Sequence, residues 1–289
     1  MTRRFQRVQR KGIRLTELDF EMVEAVLDAR YLTNQMMVRL FFKPTTFSWC
    51  KQRMRYLFDL RYLNKRRAYM NEPDIYFLGL KGKHYIVSLG GYTKEQVDKV
   101  AGVSGGRAKA PILMMNHELT VSKLYTNARL ECREYGWDMR WKNTRMLELE
   151  RLGVEPDAWI EVTNEDKHRQ AFIEFTAAMP TKRELAGKIE RYEGYWERTG
   201  QPIPVLWLTT SRSKANRLWE GMLQSMYRDY FLVGLIEDAR YFLTRPIWRW
   251  SESEEKVRSL NPPRQMVSGG GGWLLPTPQP VSEPLAAAP

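Results

Sequence analysis

Cysteine and histidine are scarce in this chain of 289 residues, which has 2 of one and 3 of the other. Cys50 and Cys132 can form at most one disulfide, and both fall in apolar helical patterns, so buried free thiols in a reducing cytoplasm are the simpler reading. His84, His117 and His168 are far apart, with no i,i+4 pair and no neighbouring cysteine, which argues against a zinc site. Long apolar runs are missing too. The densest, Tyr230–Ile236, is far short of the roughly 20 residues that span a bilayer. The opening MTRRFQRVQRKG is basic but lacks the apolar stretch of a signal peptide. There is no internal repeat. The glycines at Gly102, Gly105 and Gly106 lack the Gly-Lys-Ser/Thr ending of a phosphate-binding loop.

What is present is a globular composition, 43% hydrophobic and 28% charged, with a formal net charge of +12. That composition excludes a disordered or collagen-like chain, and the length suits two folded units. Acid is short in one part only. Residues 1–110 hold 22 Lys+Arg against 10 Asp+Glu, a net of +12; the remainder holds 24 of each. The whole excess lies in the first two-fifths, which points to an anionic partner there, nucleic acid before membrane.

Composition divides the chain into a basic leader (1–13), a first unit (14–90), a Gly-containing linker (91–111), a second unit (112–258) and a Gly/Pro-rich tail (259–289) whose composition does not support folding. In the first unit, Thr16 with Asp19 caps a helix carrying Phe20, Val23, Leu27 and Tyr31. Thr33 caps a short second helix that Pro44 closes. A third begins at Thr45 or Thr46 and buries Cys50, Met54, Leu57 and Phe58. Its other face carries Ser48, Gln52 and Arg55, with Lys51 at the edge; Arg and Gln are side chains that read guanine and adenine edges. Lys65, Arg66 and Arg67 then lie on the first strand of a hairpin that returns through Ile75–Leu78, and Lys81-Gly82-Lys83 closes it. Three helices and a basic hairpin is the winged helix-turn-helix order, with the third helix in the groove and the hairpin on phosphates.

The second unit reads α-β-β-β-α-β-α-β, an α/β domain with a mixed central sheet. Asn116 caps its first helix, with His117 and Glu118 on the flanks of the apolar stripe. Strands are expected over Trp137–Met146, Pro156–Thr163 and Ala171–Thr176, with Asn164–Gln170 as a polar turn, then over Ile203–Thr210 and Tyr230–Ile236. Thr181 and Glu184 make a capping box for a helix bearing Leu185, Ile189, Tyr192 and Trp196, and Ser213–Tyr227 is a further helix. Two residues are out of place. Glu174 is an acid within the apolar run AFIEF, and Lys188 lies between Leu185 and Tyr192 on the buried side of its helix. Each is costly alone, so the two should approach one another or a metal. Two carboxylates at adjacent strand ends, Asp157 and Glu174, can hold Mg²⁺.

Pro156-Asp157, then Glu174-x-Thr176, then a helix with Lys188 and Tyr192, in that order and spacing, resembles the replication-relaxation family. His117-x-Leu119 and Pro246-Ile247-Trp248 extend the resemblance over about residues 14–250. It implies a winged helix joined to a PD-(D/E)XK, restriction-endonuclease-like domain, in a protein of plasmids or other mobile elements that acts on DNA during replication, mobilisation or their control. Asp157 matches the Asp of PD, and Glu174 the central acid. The lysine expected two residues later is Thr176, whose hydroxyl cannot supply a positive charge to the reacting phosphate. Lys188 can replace it from the next helix, with Glu118 as an added metal ligand. The leading expectation is therefore a double-stranded-DNA-binding protein whose nuclease-like domain has reduced or absent activity, with replication or transfer proteins as further partners. The alternatives are a Mg²⁺-dependent DNA endonuclease built on Asp157, Glu174 and Lys188, and a protein-interaction adaptor, which would leave the +12 unexplained.

Overall fold

The computed structural model describes residues 6–9, 12–67, 73–101, 112–147, 149, 153–164 and 167–244. The Gly-rich part of the linker, Pro246-Ile247-Trp248 and the tail lie outside them. The chain is mixed α/β. It begins with α1 (Glu17–Ala29), β1 (Leu32–Thr33), α2 (Asn34–Phe41) and α3 (Phe47–Asp59), then β2 (Leu63–Arg66) and β3 (Ile75–Leu78). The three strands form an antiparallel sheet in the order β1-β3-β2. Asp19, read from sequence as a first-turn acid, does more than cap. It accepts from the Thr16 amide at 2.7 Å and from Arg53 Nε at 2.8 Å, so one buried carboxylate ties the start of α1 to the middle of α3.

Two short segments depart from the sequence reading. Lys81-Gly82-Lys83 does not close the hairpin; it opens α4 (Leu80–Ser88). The reason is backbone proximity. A Cβ on Gly79 would lie 2.4 Å from the Arg61 carbonyl oxygen, and one on Gly82 would lie 2.2 Å from that of Tyr62, so these glycines let α4 sit directly on the turn after α3. Next, the stretch assigned as linker contains α5 (Lys94–Ala101). Thr93 and Gln96 cap it reciprocally, and Val97, Val100 and Ala101 are buried along one side.

Then follow α6 (Ile112–Glu134), β4 (Asp138–Asn143), β5 (Ala158–Asn164), β6 (Lys167–Thr176), α7 (Lys182–Thr199), β7 (Val205–Thr209), α8 (Arg212–Met222) and β8 (Phe231–Leu235). The sheet order is β4-β5-β6-β7-β8. The first three strands pair antiparallel; β6/β7 and β7/β8 pair parallel through the crossover helices α7 and α8, making the expected mixed sheet. The polar stretch Asn164–Gln170 is not a turn throughout. From Lys167 it is already β6, with Gln170 opposite Glu161 and His168 opposite Thr163. Polarity there reflects an exposed hairpin end rather than a break in the strand. Likewise α6 starts at Ile112, so Asn116 lies within the helix and does not cap it.

Strand alternation divides the interior into two faces. Ala171, Ile173, Leu206 and Leu208 point toward α6 and share a cluster with Val121, Leu124 and Ala128. Phe172, Val205, Trp207 and Val233 point toward α7 and α8, against Leu185, Ile189, Trp196 and Trp219. The α6-side cluster continues into the first unit through Met22, Val26, Leu32 and Leu57, and into α5 through Val97. Each such fully buried side chain contributes roughly 1.5–3 kcal/mol. The two units thus share one apolar core.

Candidate functional site

Glu174 is in the middle of the parallel pairing, opposite Trp207, on the α7 face of the sheet and fully buried. Both of its oxygens are taken from α7. Lys188 Nζ lies 2.5 Å from Oε2, and the Tyr192 hydroxyl donates to Oε1 at 2.6 Å. The i,i+4 spacing of Lys188 and Tyr192 aims both side chains at one carboxylate. The Lys188 ammonium also lies 5.1 Å from the centre of the Trp207 ring, with its side chain 30% exposed. Burial pushes the Glu174 carboxyl up to about 7, against the pull of Lys188. Burial alone would lower the Lys188 ammonium, but the charges of Glu174 and Asp157 outweigh it and hold it above its ordinary range. The pair that the sequence singled out by misplaced polarity is therefore in direct contact.

Asp157, just before β5, is reached from the opposite face. Its Oδ2 accepts the Phe175 amide at 2.7 Å, and His117 Nε2 on α6 stands 3.2 Å from it. The same ring nitrogen is 3.1 Å from the Phe175 carbonyl. The hydrogen bond to Asp157 pushes His117 up to about 9, so it is an imidazolium at neutral pH. Sequence reasoning placed His117 on the flank of the helical stripe and did not assign it to Asp157. The signal was the His117-x-Leu119 motif, which lies within α6. Thr176, in the position of the missing lysine, accepts from the Trp207 indole at 2.8 Å. It occupies that place as part of the sheet's packing.

Glu118 goes elsewhere. Its carboxylate pairs with Arg30 at the end of α1, whose Nε also donates to the Val100 carbonyl at 3.2 Å. The three acids proposed to hold a metal thus each have a protein cation: Lys188 for Glu174, His117 for Asp157, Arg30 for Glu118. With both Glu174 oxygens, Asp157 Oδ2 and Glu118 Oε1 engaged, the last turned to Arg30, the donors as arranged do not fit a Mg²⁺ ion, which needs several free oxygens converging on one point. Among the described residues, no group of three or more acids, histidines or cysteines is set to hold a metal.

The face of α3 is only partly as expected. Ser48, Lys51 and Gln52 are exposed, beside Phe47 and Trp49, the latter 50% exposed. Gln52 Nε2 donates to the Tyr56 hydroxyl at 2.6 Å, and Lys51 lies over the Phe47 ring. Arg55 is turned away along the helix, 3.1 Å from Asp59 and donating to the Gln6 carbonyl at 2.6 Å. On the hairpin, Lys65 is 3.4 Å from Asp74 with a side chain only 4% exposed, and Arg67 is 3.3 Å from the same carboxylate. Asp74 lies just before the returning strand. Antiparallel pairing of β2 with β3 makes it the counter-ion of the hairpin. Arg66 is half-buried. Of the seven residues assigned to DNA, the structure leaves Ser48, Lys51 and Gln52 outward, and packs Lys65 inside.

Both cysteines are buried free thiols, and burial pushes each up to about 12, so neither is a nucleophile. No helix among the described residues is long and apolar enough to cross a membrane.

No curated protein sequence matches this one. Among solved structures, the restriction endonuclease FokI is similar at 11% sequence identity over 80% of this chain and 45% of that one. The TM-score is 0.26, too low to carry an argument, and this chain spans less than half of FokI's length. The replication-relaxation family model matches residues 24–206, from within α1 to the start of β7, and so takes in His117, Asp157, Glu174, Lys188 and Tyr192. The chain belongs to the replication-relaxation family.

Proposed function

We propose that this protein binds duplex DNA through the exposed face of α3 during replication or mobilisation of a plasmid or other mobile element, and that its second unit is a nuclease-like domain of reduced or absent activity. The observation that carries the reading is the combination on α3 of three outward polar side chains, Ser48, Lys51 and Gln52, within the stretch of residues 1–110 that holds the whole net charge. The helix order and the antiparallel β1-β3-β2 sheet suit a winged helix-turn-helix, which would place the N-terminal half of α3 in the major groove. Reduced activity is supported by the pairing of Glu174 with both Lys188 and Tyr192, which leaves that carboxylate no free oxygen.

Salt titration of duplex binding tests the first half. About five neutralised phosphates correspond to a log–log slope near −4.5. Because the two units share a core, the full chain is the material to use. No binding even at low salt would end the proposal.

The competing reading is a Mg²⁺-dependent endonuclease using Asp157, Glu174 and Lys188. It is favoured by one fact: Lys188 and Glu174 both feel the Asp157 charge, so the three act as one electrostatic group. Supercoiled DNA incubated with Mg²⁺ or Mn²⁺ decides it. Nicking by the wild type that Asp157→Ala abolishes establishes an enzyme; intact DNA in both removes that option.

A further inference from the structure

On the face of α3 assigned to DNA stand two side chains able to make bidentate base contacts, and the fold keeps one of them outward. Arg55, suited to guanine, is drawn along the helix, 3.1 Å from Asp59 and donating to the Gln6 carbonyl at 2.6 Å. Gln52 is exposed, and its amide is held in place. Nε2 donates to the Tyr56 hydroxyl at 2.6 Å, one turn further on. The centre of the Tyr56 ring lies 5.7 Å from the Arg53 guanidinium, whose Nε is fixed 2.8 Å from the buried Asp19 carboxylate. A glutamine amide carries two N–H donors and one acceptor oxygen, so Gln52 keeps one Nε2 hydrogen and Oε1 for a ligand. Those are the groups that a bidentate contact with adenine uses, N–H to N7 and oxygen to the N6 amino group. Guanine presents acceptors at both N7 and O6, so the same amide would set Oε1 against O6.

Trp49 stands three residues before Gln52, a spacing that makes the two side chains neighbours on the helix surface. Of the described tryptophans it alone is exposed, at 50%. Its ring is steadied edge-on against Phe42 at the end of α2, with centroids 5.3 Å apart and planes at 82°. Three residues advance a helix by about 4.5 Å, close to the roughly 3.4 Å between stacked bases, so Trp49 and Gln52 reach the same or adjoining base pairs. An apolar ring fixed there meets the apolar group of the major groove, the thymine 5-methyl. The outward cation Lys51 lies about 100° around the helix from Gln52, with Nζ 4.2 Å from the centre of the Phe47 ring, on the flank of this pair.

We propose that α3 selects A·T pairs, with Gln52 on adenine, Trp49 on a thymine methyl in the same or adjoining pair, and Tyr56 as a positioning residue that orients the Gln52 amide. This rests on α3 binding duplex DNA, and adds the bases it selects. The full chain is titrated by fluorescence anisotropy with short labelled duplexes of alternating A·T, of alternating G·C, and of A·T carrying uracil for thymine or 7-deazaadenine for adenine. Both replacements alter the major groove and leave the minor groove as it was. Wild type should bind the A·T duplex about fivefold or more tighter than G·C, and each replacement should weaken it about threefold or more. Trp49→Ala should bind the thymine and uracil duplexes alike yet still respond to 7-deazaadenine; Gln52→Ala should do the reverse. Trp49→Phe keeps an apolar ring and should keep the response to uracil. Tyr56→Phe should lose part of the response to 7-deazaadenine alone. Circular dichroism confirms folding, and the replacements act on wild type whether or not every variant folds. If wild type binds DNA but ranks G·C at or above A·T, or ignores both replacements, A·T selection falls while DNA binding stands. Trp49 is removed from the reading if wild type ignores uracil or Trp49→Ala still responds to it. Gln52 is removed by the same outcomes with 7-deazaadenine, and an unchanged response in Tyr56→Phe removes the positioning role. Failure of wild type to bind any of the duplexes defeats the parent reading instead.

Discussion

The first unit and the sheet of the second handle charge in opposite ways. Around β5, β6 and α7 these acids are matched by local cations: Glu174 with Lys188, Asp157 with His117 and Glu161 with Arg140. The first unit also satisfies its acids, Asp19 with Arg53, Asp59 with Arg55 and Asp74 with Lys65. With 22 cations to 10 acids in residues 1–110, however, pairing leaves a surplus. What differs between the regions is the remainder after internal pairing. A partner is sought by that remainder, so a count of basic residues along a motif overstates the binding surface wherever a buried aspartate has claimed them.

The largest expected effect lies on the matched side. Lys188→Met retains most of the side chain's length but leaves Glu174 buried with only the Tyr192 hydroxyl. Removing one partner of a fully buried pair costs roughly 3–5 kcal/mol; as Lys188 is 30% exposed and Tyr192 remains, about 2–3 kcal/mol is expected here. Urea denaturation at pH 7.5 measures it. Lys188→Met with Glu174→Gln should recover much of the loss, because the uncompensated charge is then gone. A loss under about 0.5 kcal/mol for the single variant would mean that the pair is not closed, and the contrast between the regions would fail.

On the surplus side, Lys51→Ala and Lys65→Ala separate an open cation from a claimed one. Lys51 is exposed and should contribute one phosphate contact, so its loss makes the salt slope of duplex binding shallower by about 0.9. Lys65 is nearly sealed against Asp74; its loss should lower stability and leave the slope alone. Equal slope changes in the two variants would restore the hairpin as a phosphate-binding element and blur the distinction drawn above.

Much of the frame was readable from periodicity. The helix order, the return strand Ile75–Leu78, the alternation of β6 and the Thr181 capping box follow from spacing that local physics enforces. Glu174 and Lys188 could be matched because each violated the polarity of its own element. Partners supplied by elements distant in sequence were beyond such reasoning. Arg30 meets Glu118 across 88 residues, and His117 meets the Phe175 carbonyl across 58. Nothing in the pattern of either strand or helix marks such a pairing. The same limit explains α5, where Thr93 and Gln96 were a legible capping signal overshadowed by nearby glycines, and Asp74, whose role exists only once β2 and β3 are paired.

The smallest effect tests whether Asp157 is as closed as Glu174. His117 titrates near 9 in the folded chain against about 6.5 when unfolded. A folded value raised above the unfolded one means that the native state holds its proton more tightly. The contribution is therefore full below about pH 6.5 and is lost as pH rises through about 9. Its side chain is 34% exposed, so solvent screens the pair and roughly 1 kcal/mol is expected. Glu174, raised to about 7, loses its own contribution in the same direction but mostly at lower pH, and Lys188, held above its usual range, changes later. Between pH 7.5 and 10, then, wild type should lose about 1 kcal/mol more than His117→Gln. Asp157→Asn should remove the difference by taking away the charge that holds the proton. Parallel curves for wild type and His117→Gln over that range would show Asp157 unpaired at neutral pH. One carboxylate oxygen pair of the candidate site would then be open, and the case for a metal-binding, cleaving protein would regain the ground that the internal pairing takes from it.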